Sequence, residues 1–499
     1  MPIQVRGKHS NLPHDKVTAM IQTRMQTRDE LASIQQAWAS LPIAERLAVL
    51  KRARHIFAKS TSDLCDAVSP DLTRNAADTR VAEILPLLEA CRFLEREAAK
   101  ILGPKRLGRR GRPFWLAGVS SEVHRVPMGR ILVIAPSNYP LFLPSVQVLQ
   151  ALAAGNSVVW KPGRGGRAMA LLFAAIMREA GLPAGLLAVT DESVAAAQQT
   201  IAAGVDKVFF TGSAAVGREL LRQLADTLTP CVAELSGCDA VFILPSADLS
   251  RVVQALAFGM RLNGSATCMA PRRVFLIDAD DERRPHFVGM LLTALDWIQG
   301  VTLPEHVQRE LHILIDDAVR AGAQVHGELN AEQRPILVTG VTPAMLVTQT
   351  DIFAPILATM DARDAQEAIA LYEACPYALT ASIFGNEREG RALAAKITAG
   401  TVAINDLIVP TVDPRVPFGG RRDSGFGVTR GTEGLLEMTA AKTISVRRGR
   451  STRHFDATIP AHEELFDGVI NMSHRARWSE RLAGLRQMLR AARKLSRKQ

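Results

Sequence analysis

The stretch RILVIAPSNYPLFLPSVQVLQALAAGNSVVWKPG, residues 130–163, indicates which fold the chain adopts. Its first six residues form an apolar run that predicts a buried strand. The segment from Pro140 to Gly155 predicts a helix that ends at the glycine, and SVVW predicts a second strand that ends at Lys161. Short apolar strands separated by helices are typical of a parallel sheet with helices on both faces.

The same alternation continues further along the chain. Helices are predicted to begin at about Arg167, Ser193 and Ala214, and the segments LLAVT, KVFF and CVAEL predict strands. A second α/β unit runs from about Gly237 to about Ile408. The sequence therefore predicts an α/β protein whose first sheet is doubly wound.

Four residues with chemical uses follow strands of this first sheet closely: Asn138, Lys161, Gly212 and Glu234. Doubly wound sheets bind their ligands at the carboxyl ends of the strands. We therefore expect an amide, an ammonium group, a glycine turn and a carboxylate to gather along one edge of the sheet, beside a ligand.

The segment FFTGSAAVG, residues 209–217, combines the end of a strand, a tight turn and the start of a helix. Its glycines, Gly212 and Gly217, have the spacing GxxxxG. This is not the dinucleotide fingerprint GxGxxG, and the Lys-Ser/Thr that would complete a Walker A motif is absent. A helix N-terminus beside glycine suits a phosphate group, but the same pattern also occurs in purely structural turns.

Two further residues are candidates for covalent chemistry. Glu234 is the fourth residue of the run CVAEL, residues 231–235. Cys268 lies on a small-residue loop after a predicted helix, which the Asn-Gly-Ser sequence at residues 263–265 is expected to end. Both are placed to face one cleft, where a thiol can act as a nucleophile and a carboxylate as a base. The alternative is a buried free cysteine and a solvated glutamate.

The composition is typical of a globular protein with more than one domain. A chain of 499 residues with 47% hydrophobic and 22% charged residues predicts two or three globular domains. Its six cysteines have no spacing typical of a zinc site and are too few for a disulfide framework, so no metal site is predicted. The first residues, MPIQVRGKHSNLPHDK, lack the apolar core of a signal peptide. We therefore expect a cytoplasmic protein.

The net charge of +10 is concentrated in residues 447–499, which hold 13 Lys/Arg and 5 Asp/Glu. The remaining body is near neutral, which gives little support for nucleic-acid binding. Within residues 470–499 the sequence predicts a basic amphipathic helix. Its apolar stripe consists of Trp478, Leu482, Leu485, Leu489, Ala492 and Leu495. Such a helix can dock on an anionic membrane or on a partner protein, or it can pack on its own protein with a solvated basic face.

Seven segments, taken in order, resemble those of the aldehyde dehydrogenase superfamily. They are APSNYP, WKPG, FTGSAAVG, AELSG, GSATCMAPRR, DIFAP and PFGGRRDSGFG. The resemblance covers roughly residues 25–446. It identifies Cys268 as the family's catalytic cysteine and Glu234 as its glutamate.

The resemblance also implies an architecture. Residues 1–109 and 128–236 are expected to form a Rossmann-like cofactor domain, and residues 237–412 an α/β catalytic domain. Residues 110–127 and 438–448 are expected to form a small β element that makes a homodimer or tetramer. Residues 449–499 are a basic C-terminal extension with the amphipathic helix.

The family's chemistry implies oxidation of an aldehyde to a carboxylic acid with NAD(P). Cys268 is expected to attack the aldehyde carbon as a low-pKa thiolate, while the Asn138 amide and the Cys268 N–H hold the oxyanion. Glu234 is expected to activate the water that hydrolyses the thioester. The expected cofactor contacts are Lys161 with the ribose, Gly212 and Ser213 with the pyrophosphate, and in addition Arg164, Thr211, Gly217, Asp351 and Phe353.

The sequence departs from the family's pattern near the cofactor. Gly163 and Arg164 stand where many NAD-dependent members carry a glutamate that repels a 2′-phosphate. A guanidinium suits a phosphate dianion, so Arg164 predicts that NADP is accepted without excluding NAD. Asp351 is shorter than the glutamate that commonly holds the nicotinamide ribose.

Two other functions remain open from the sequence. A CoA-acylating relative would pass the acyl group to CoA instead of water, but such relatives tend to lack the glutamate, which is present here as Glu234. A non-catalytic scaffold of the same fold is the second alternative. It is disfavoured because Cys268, Glu234 and Asn138 are all retained.

Overall fold

The computed structural model describes residues 28–72, 74–449 and 453–496. Its strands are β1 (Lys105–Leu107), β2 (Val119–Pro127), β3 (Arg130–Ile134), β4 (Ser157–Lys161), β5 (Leu187–Val189), β6 (Lys207–Thr211), β7 (Cys231–Glu234), β8 (Asp239–Ile243), β9 (Pro271–Ile277), β10 (Val301–Thr302), β11 (Gln324–His326), β12 (Glu332–Gln333), β13 (Ile336–Thr339), β14 (Ile356–Ala362), β15 (Tyr377–Ala378), β16 (Thr380–Phe384), β17 (Thr401–Ile404), β18 (Arg421–Arg422), β19 (Gly425–Phe426) and β20 (Thr439–Arg447).

The α-helices are α1 (Arg28–Ser40), α2 (Ile43–Lys59), α3 (Thr61–Asp66), α4 (Ala76–Thr79), α5 (Leu85–Leu102), α6 (Phe142–Ala153), α7 (Arg167–Glu179), α8 (Val194–Ala202), α9 (Ala214–Ala225), α10 (Leu249–Arg261), α11 (Arg283–Asp296), α12 (Glu305–Arg320), α13 (Ala365–Glu373), α14 (Glu387–Ala394), α15 (Gly431–Glu437), α16 (Glu463–His474) and α17 (Trp478–Ser496). One π-helical turn, Arg80–Ile84, joins α4 to α5.

The first sheet has the strand order β19-β7-β6-β3-β4-β5. Its strands are parallel except for β19, which runs antiparallel to β7. Ile131 and Val133 are buried on one face against α2, α5, α6 and α7, whereas Leu132 and Ile134 are buried on the other face against α8 and α9. A sheet covered on both faces needs such uninterrupted apolar strands, which explains the run in β3.

The second sheet has the order β11-β13-β14-β9-β8-β16-β17, and β11 is its one antiparallel member among the described strands. Phe242 and Phe275 stack on one face with their ring centroids 5.0 Å apart, near α12 and α13. Val241 and Val274 are buried on the opposite face under α10 and α11. The sequence analysis did not recognise β14, although this strand lies beside β9 inside the sheet.

Both sheets belong to one compact unit, made of the described residues among 1–105 and 123–442. The short strand β19, from the glycine-rich segment, completes the first sheet although it follows the whole second sheet in the chain. Gly425 in this strand has φ +100°, and a Cβ there would lie 1.9 Å from the Ala233 carbonyl oxygen. Glycine is therefore required where the returning segment crosses β7.

The second unit comprises residues 106–122 and the described residues among 443–499. A three-stranded sheet has the order β1-β2-β20, and the side chains of residues 440–447 in β20 are exposed. An exposed edge strand presents unpaired backbone groups that can pair with another chain. The domain boundaries and the oligomerisation role of residues 110–127 and 438–448 stay predictions.

The C-terminal residues of this unit form a helical hairpin of α16 and α17. Gly468 and Gly484 allow close packing, since a Cβ at either would lie 2.4 Å from a backbone nitrogen of the opposite helix. Lys494 and Glu464 form an ion pair across it at 2.9 Å.

The predicted apolar stripe of this helix is not the face that packs in the hairpin. Ala491, not Ala492, is buried against α16, and Trp478, Leu482 and Leu489 are exposed. The register differs because the two glycines decide which face can approach the neighbouring helix. Among the described residues, no helix is long and apolar enough to cross a membrane.

Candidate active site

A cavity of about 690 Å³ lies at the carboxyl ends of the strands of the first sheet. Ten of the eleven residues predicted for the site line it: Asn138, Lys161, Arg164, Thr211, Gly212, Ser213, Glu234, Cys268, Asp351 and Phe353. Gly217 does not. It is buried in α9, where a Cβ would meet the Leu235 side chain at 2.7 Å, so it serves the close packing of this helix on the sheet.

Cys268 lies on a loop shaped by an unusual turn. After α10 the backbone takes left-handed angles at Asn263 (φ 53°), Gly264 (φ 58°) and Ser265 (φ 64°). Such angles are unfavourable for a serine, and the buried Arg272 compensates by donating to the Ser265 hydroxyl and carbonyl oxygens, both at 2.7 Å. The turn thereby brings the cysteine back towards the ends of the first sheet.

Asn138 is hydrogen bonded to this same loop. Its side-chain Nδ2 donates to the Ala266 carbonyl oxygen at 2.9 Å, and the amide keeps a second N–H for another acceptor. The neighbouring Tyr139 hydroxyl lies 2.8 Å from the Thr267 hydroxyl. The asparagine and the cysteine are thus fixed to each other, although 130 positions separate them in the sequence.

Glu234 is the last residue of β7, and its carboxylate accepts two hydrogen bonds. One comes from the Thr211 hydroxyl at 3.2 Å, because the parallel register places these two residues side by side. The other comes from the Thr429 hydroxyl. Thr211 was predicted to bind the cofactor, but in this structure its hydroxyl contacts the glutamate.

Burial raises the pKa of Glu234, an effect partly offset by the nearby Arg430 cation and by the hydrogen bonds from Thr429 and Thr211. A carboxylate with a raised pKa is a more effective base near neutral pH. The expectation of a low-pKa thiolate at Cys268 is wrong. The pKa of this thiol is raised, first by its removal from water and then by Asp239, Glu234 and Asp351.

Arg430 was not predicted from the sequence as a site residue, although it follows the glycine-rich segment of residues 417–427 closely. It is 4% exposed, donates to the Thr411 carbonyl oxygen and lies over the Phe418 ring, 4.3 Å from its centroid. Its φ of 62° is strained for arginine. This guanidinium is the cation that lowers the pKa values of both Glu234 and Cys268.

The opposite end of the cavity contains Lys161, Gly163 and Arg164. Gly163 is required, because a Cβ there would lie 2.3 Å from the Pro136 carbonyl. The loop is held by Glu192, which accepts from the backbone nitrogens of Gly165 at 2.9 Å and Arg167 at 2.8 Å. Partial burial lowers the pKa of Lys161, and Arg164 is exposed at the cavity's edge.

The turn after β6 and the Asp351 carboxylate suit a dinucleotide. Ser213 caps α9 by accepting from the Val216 backbone nitrogen at 3.3 Å, so the N-terminus of this helix opens into the cavity beside Gly212. Asp351 accepts from the Gly237 nitrogen at 3.3 Å through Oδ2, while its buried Oδ1 has no hydrogen-bond partner. A ribose hydroxyl would satisfy this oxygen, and a pyrophosphate suits the helix N-terminus.

The two parallel sheets, with a cavity at their strand ends, define an α/β enzyme. The model of the aldehyde dehydrogenase family matches residues 27–444. The chain belongs to the aldehyde dehydrogenase family. The predicted family, the fold class and the assignment as an aldehyde dehydrogenase are thereby confirmed.

Two relatives illustrate the range of similarity. The protein named "Putative succinate-semialdehyde dehydrogenase (NADP(+))" of Mycolicibacterium smegmatis is 31% identical over 432 residues, which are 83% of this chain and 82% of the relative. The 4,4′-diapolycopene aldehyde oxidase of a Methylomonas species is 28% identical over 445 residues, 87% of this chain and 82% of the relative.

Two solved structures are similar as well. An aldehyde dehydrogenase of Mycobacterium tuberculosis in complex with NAD+ has a TM-score of 0.76 at 26% identity, over 85% of this chain and 91% of that one. An NADP-dependent glyceraldehyde-3-phosphate dehydrogenase of Bacillus halodurans C-125 in complex with NADP has a TM-score of 0.77 at 25% identity, over 84% and 90% of the two chains.

Proposed function

We propose that this protein oxidises an aldehyde to a carboxylic acid with NAD or NADP, through a thioester on Cys268. The observation that carries the proposal is the meeting of Cys268, Asn138 and Glu234 at one cavity, whose other end presents Lys161 and a helix N-terminus. Family membership supports aldehyde oxidation, and the complexes of similar enzymes with NAD+ and NADP support the cofactor.

The first step joins the Cys268 sulfur to the aldehyde carbon. Because the surroundings raise the pKa of this thiol, the sulfur must give up its proton to a base as it attacks. Glu234 is the carboxylate proposed to receive that proton. The aldehyde oxygen becomes an oxyanion that accepts from the free N–H of Asn138 and from the Cys268 backbone N–H; one such donor is typically worth about 10²–10³ in rate.

A nicotinamide bound at this cavity would accept the hydride that leaves the thiohemiacetal carbon, and the oxyanion would become the carbonyl of a thioester on Cys268. Glu234 releases the proton it received from Cys268 to solvent, and as a carboxylate again it removes a proton from water while the water oxygen attacks the thioester carbon. The carbon–sulfur bond breaks, the carboxylic acid leaves, and Cys268 recovers its thiol. Thr211 and Thr429 hold the Glu234 carboxylate in place between these proton transfers.

The cofactor is proposed to lie along the ends of β4 and β6. Lys161 and Asp351 would hold its two riboses, the turn at Gly212 and Ser213 its pyrophosphate, and Phe353 would border the nicotinamide end. Arg164 is the proposed partner of a 2′-phosphate, because it is exposed at the edge of the cavity on the loop held by Glu192. NADP is therefore accepted together with NAD.

An aldehyde panel tests this function directly. Absorbance at 340 nm is followed with NAD or NADP, with and without CoA, and the acid product is identified by mass spectrometry. The proposal predicts a free carboxylic acid without CoA. A turnover that requires CoA and yields an acyl-CoA would establish the acylating alternative, and no turnover of any aldehyde would favour a scaffold.

Assembly and location form a separate proposal. The exposed edge of β20 is proposed to pair with a second copy of the chain and form a homodimer or tetramer. The exposed Trp478, Leu482 and Leu489, with the basic residues around them, are proposed to dock on an anionic membrane surface or a partner protein. The protein is expected in the cytoplasm.

A further inference from the structure

The cavity has a second end that the cofactor proposal does not use. It is built by the π-helical turn before α5, the start of α6, the end of α10 and the loop of residues 408–412. These segments are separate from the ends of β4 and β6, where Lys161, Arg164 and Ser213 lie. Cys268 lines the same cavity, so this second end is available for the organic part of an aldehyde.

The side chains at this end are apolar from the rim inwards. Val81 and Val409 are 67% and 49% exposed at the rim, whereas Phe142 and Phe418 are 5% and 4% exposed inside. Phe258 lies half-buried between them on α10. Contact of this apolar rim with water is unfavourable in the free enzyme. An apolar ligand would cover the rim and the wall behind it, and this burial of apolar surface would favour binding.

Two hydroxyl groups of the cavity lining already have partners. The Thr411 hydroxyl donates to the Ile408 carbonyl oxygen at 2.6 Å, and the Thr267 hydroxyl is paired with Tyr139. Arg430 is the one cation on this side among the described lining residues. It is bonded to the Thr411 carbonyl oxygen, covered by Phe418 and attracted by the Glu234 carboxylate. Its Nε has no hydrogen-bond partner but is buried, so this donor is closed to a ligand.

From this lining we infer that the substrates are aldehydes with a long apolar chain, and that short aldehydes carrying a second carboxylate are poor substrates. The inference rests on the proposed function and adds the substrate class to it. A carboxylate at the apolar rim would lose its water, and the unpaired Arg430 Nε is buried and not open to it, so its binding is strongly unfavourable. A hydrocarbon chain would instead replace water along the apolar wall.

The expected change in kcat/KM can be estimated from the length of the aldehyde's hydrocarbon chain. A buried methylene contributes about 0.8 kcal/mol, which corresponds to about fourfold in binding. Between propanal and decanal the chain gains seven methylenes, and part of a long chain will extend past the rim. We therefore expect kcat/KM to rise at least a hundredfold from propanal to decanal, and kcat/KM for succinic semialdehyde to lie below that for propanal.

The experiment compares these three aldehydes on the full-length enzyme with saturating cofactor. Val409→Asp places a charge at the rim, where half exposure makes the change tolerable for folding. It is expected to lower the ratio of kcat/KM for decanal over propanal at least tenfold. Val319→Asp is the matched control, because this valine is 54% exposed on α12 and does not line the cavity, and its ratio should equal that of the wild type.

The outcomes distinguish failure of the apolar substrate class from failure of the proposed function. A flat series from propanal to decanal, a preference for succinic semialdehyde, or an unchanged ratio in Val409→Asp would overturn the apolar substrate class. Steady oxidation of propanal in those cases would leave the proposed function standing. If none of the three aldehydes is oxidised with either cofactor, the proposed function itself fails.

Discussion

Arg430 contributes to the charge balance of the two proposed catalytic residues, Glu234 and Cys268. Its guanidinium is buried between the glutamate and two phenylalanine rings, with centroids at 4.3 and 5.7 Å. It lowers the pKa values of Glu234 and Cys268, both of which burial raises. The cation therefore opposes, in part, the effect of burial on the proposed base and the proposed nucleophile.

Replacing Arg430 with methionine should shift the acid limb of the pH–rate profile. Glu234 acts as a base only when deprotonated, that is, above its pKa. Loss of the cation raises this pKa further, so the acid limb of kcat should move to higher pH. Arg430→Lys retains the charge and is the control. An acid limb that stays in place in the methionine variant would show that Arg430 does not act through the glutamate.

Arg164 is predicted to decide how well NADP is used. A charged hydrogen bond to the 2′-phosphate is worth about 1.5–3 kcal/mol, so Arg164→Glu should lower the ratio of kcat/KM for NADP over NAD at least tenfold. The control is Arg167→Glu, an equally exposed arginine on α7 that does not line the cavity. If both variants leave the ratio unchanged, Arg164 points to solvent.

At the scale of elements, a buried ion pair orders the segment that carries Asn138. The Glu83 and Arg74 side chains are nearly inaccessible and meet at 2.5 Å. Glu83 also accepts from the backbone nitrogens of Leu141 at 2.7 Å and Phe142 at 2.8 Å, and so caps α6. This carboxylate lies in the π-helical turn, which also contains Val81 at the border of the cavity.

Removing this carboxylate should be strongly destabilising. Glu83→Ala leaves the Arg74 charge buried without its partner, which typically costs about 3–5 kcal/mol. Glu89→Ala, which breaks an exposed pair with Arg92, should cost less than about 1 kcal/mol. Chemical unfolding monitored by tryptophan fluorescence measures both. Equal midpoints for the two variants would contradict the role assigned to Glu83.

The sequence predicted which strand ends gather at the site, because an apolar strand followed by a polar residue is a local pattern. It could not predict that Thr429 bonds Glu234, since 195 positions separate them and only the return of β19 beside β7 joins them. The raised pKa of Cys268 could not be predicted either, because it depends on burial and on carboxylates from two other parts of the chain, residues 234–239 and Asp351. The packed face of α17 depends on glycines in both helices of the hairpin.

At the scale of the whole molecule, the residues after 449 should be dispensable for aldehyde oxidation. The α16–α17 hairpin packs on itself through Gly468 and Gly484, so a cut before His474 would expose the packed face of α16. A variant that ends at residue 449 removes both helices and therefore avoids this exposure. We expect it to keep wild-type kcat and to lose binding to anionic vesicles in a flotation assay. An inactive or unfolded truncated enzyme, with vesicle binding unchanged, would show that the tail belongs to the folded enzyme.

The central claim is that Cys268 carries the acyl group and Glu234 releases it. Intact-mass spectrometry of Glu234→Gln, quenched shortly after mixing with aldehyde and cofactor, tests this most directly. We expect a burst of reduced cofactor and an acyl adduct that peptide mapping places on Cys268, while the wild type shows little adduct and Cys268→Ala none. An adduct on another residue, or product formation by Cys268→Ala within tenfold of the wild-type rate, would contradict the claim.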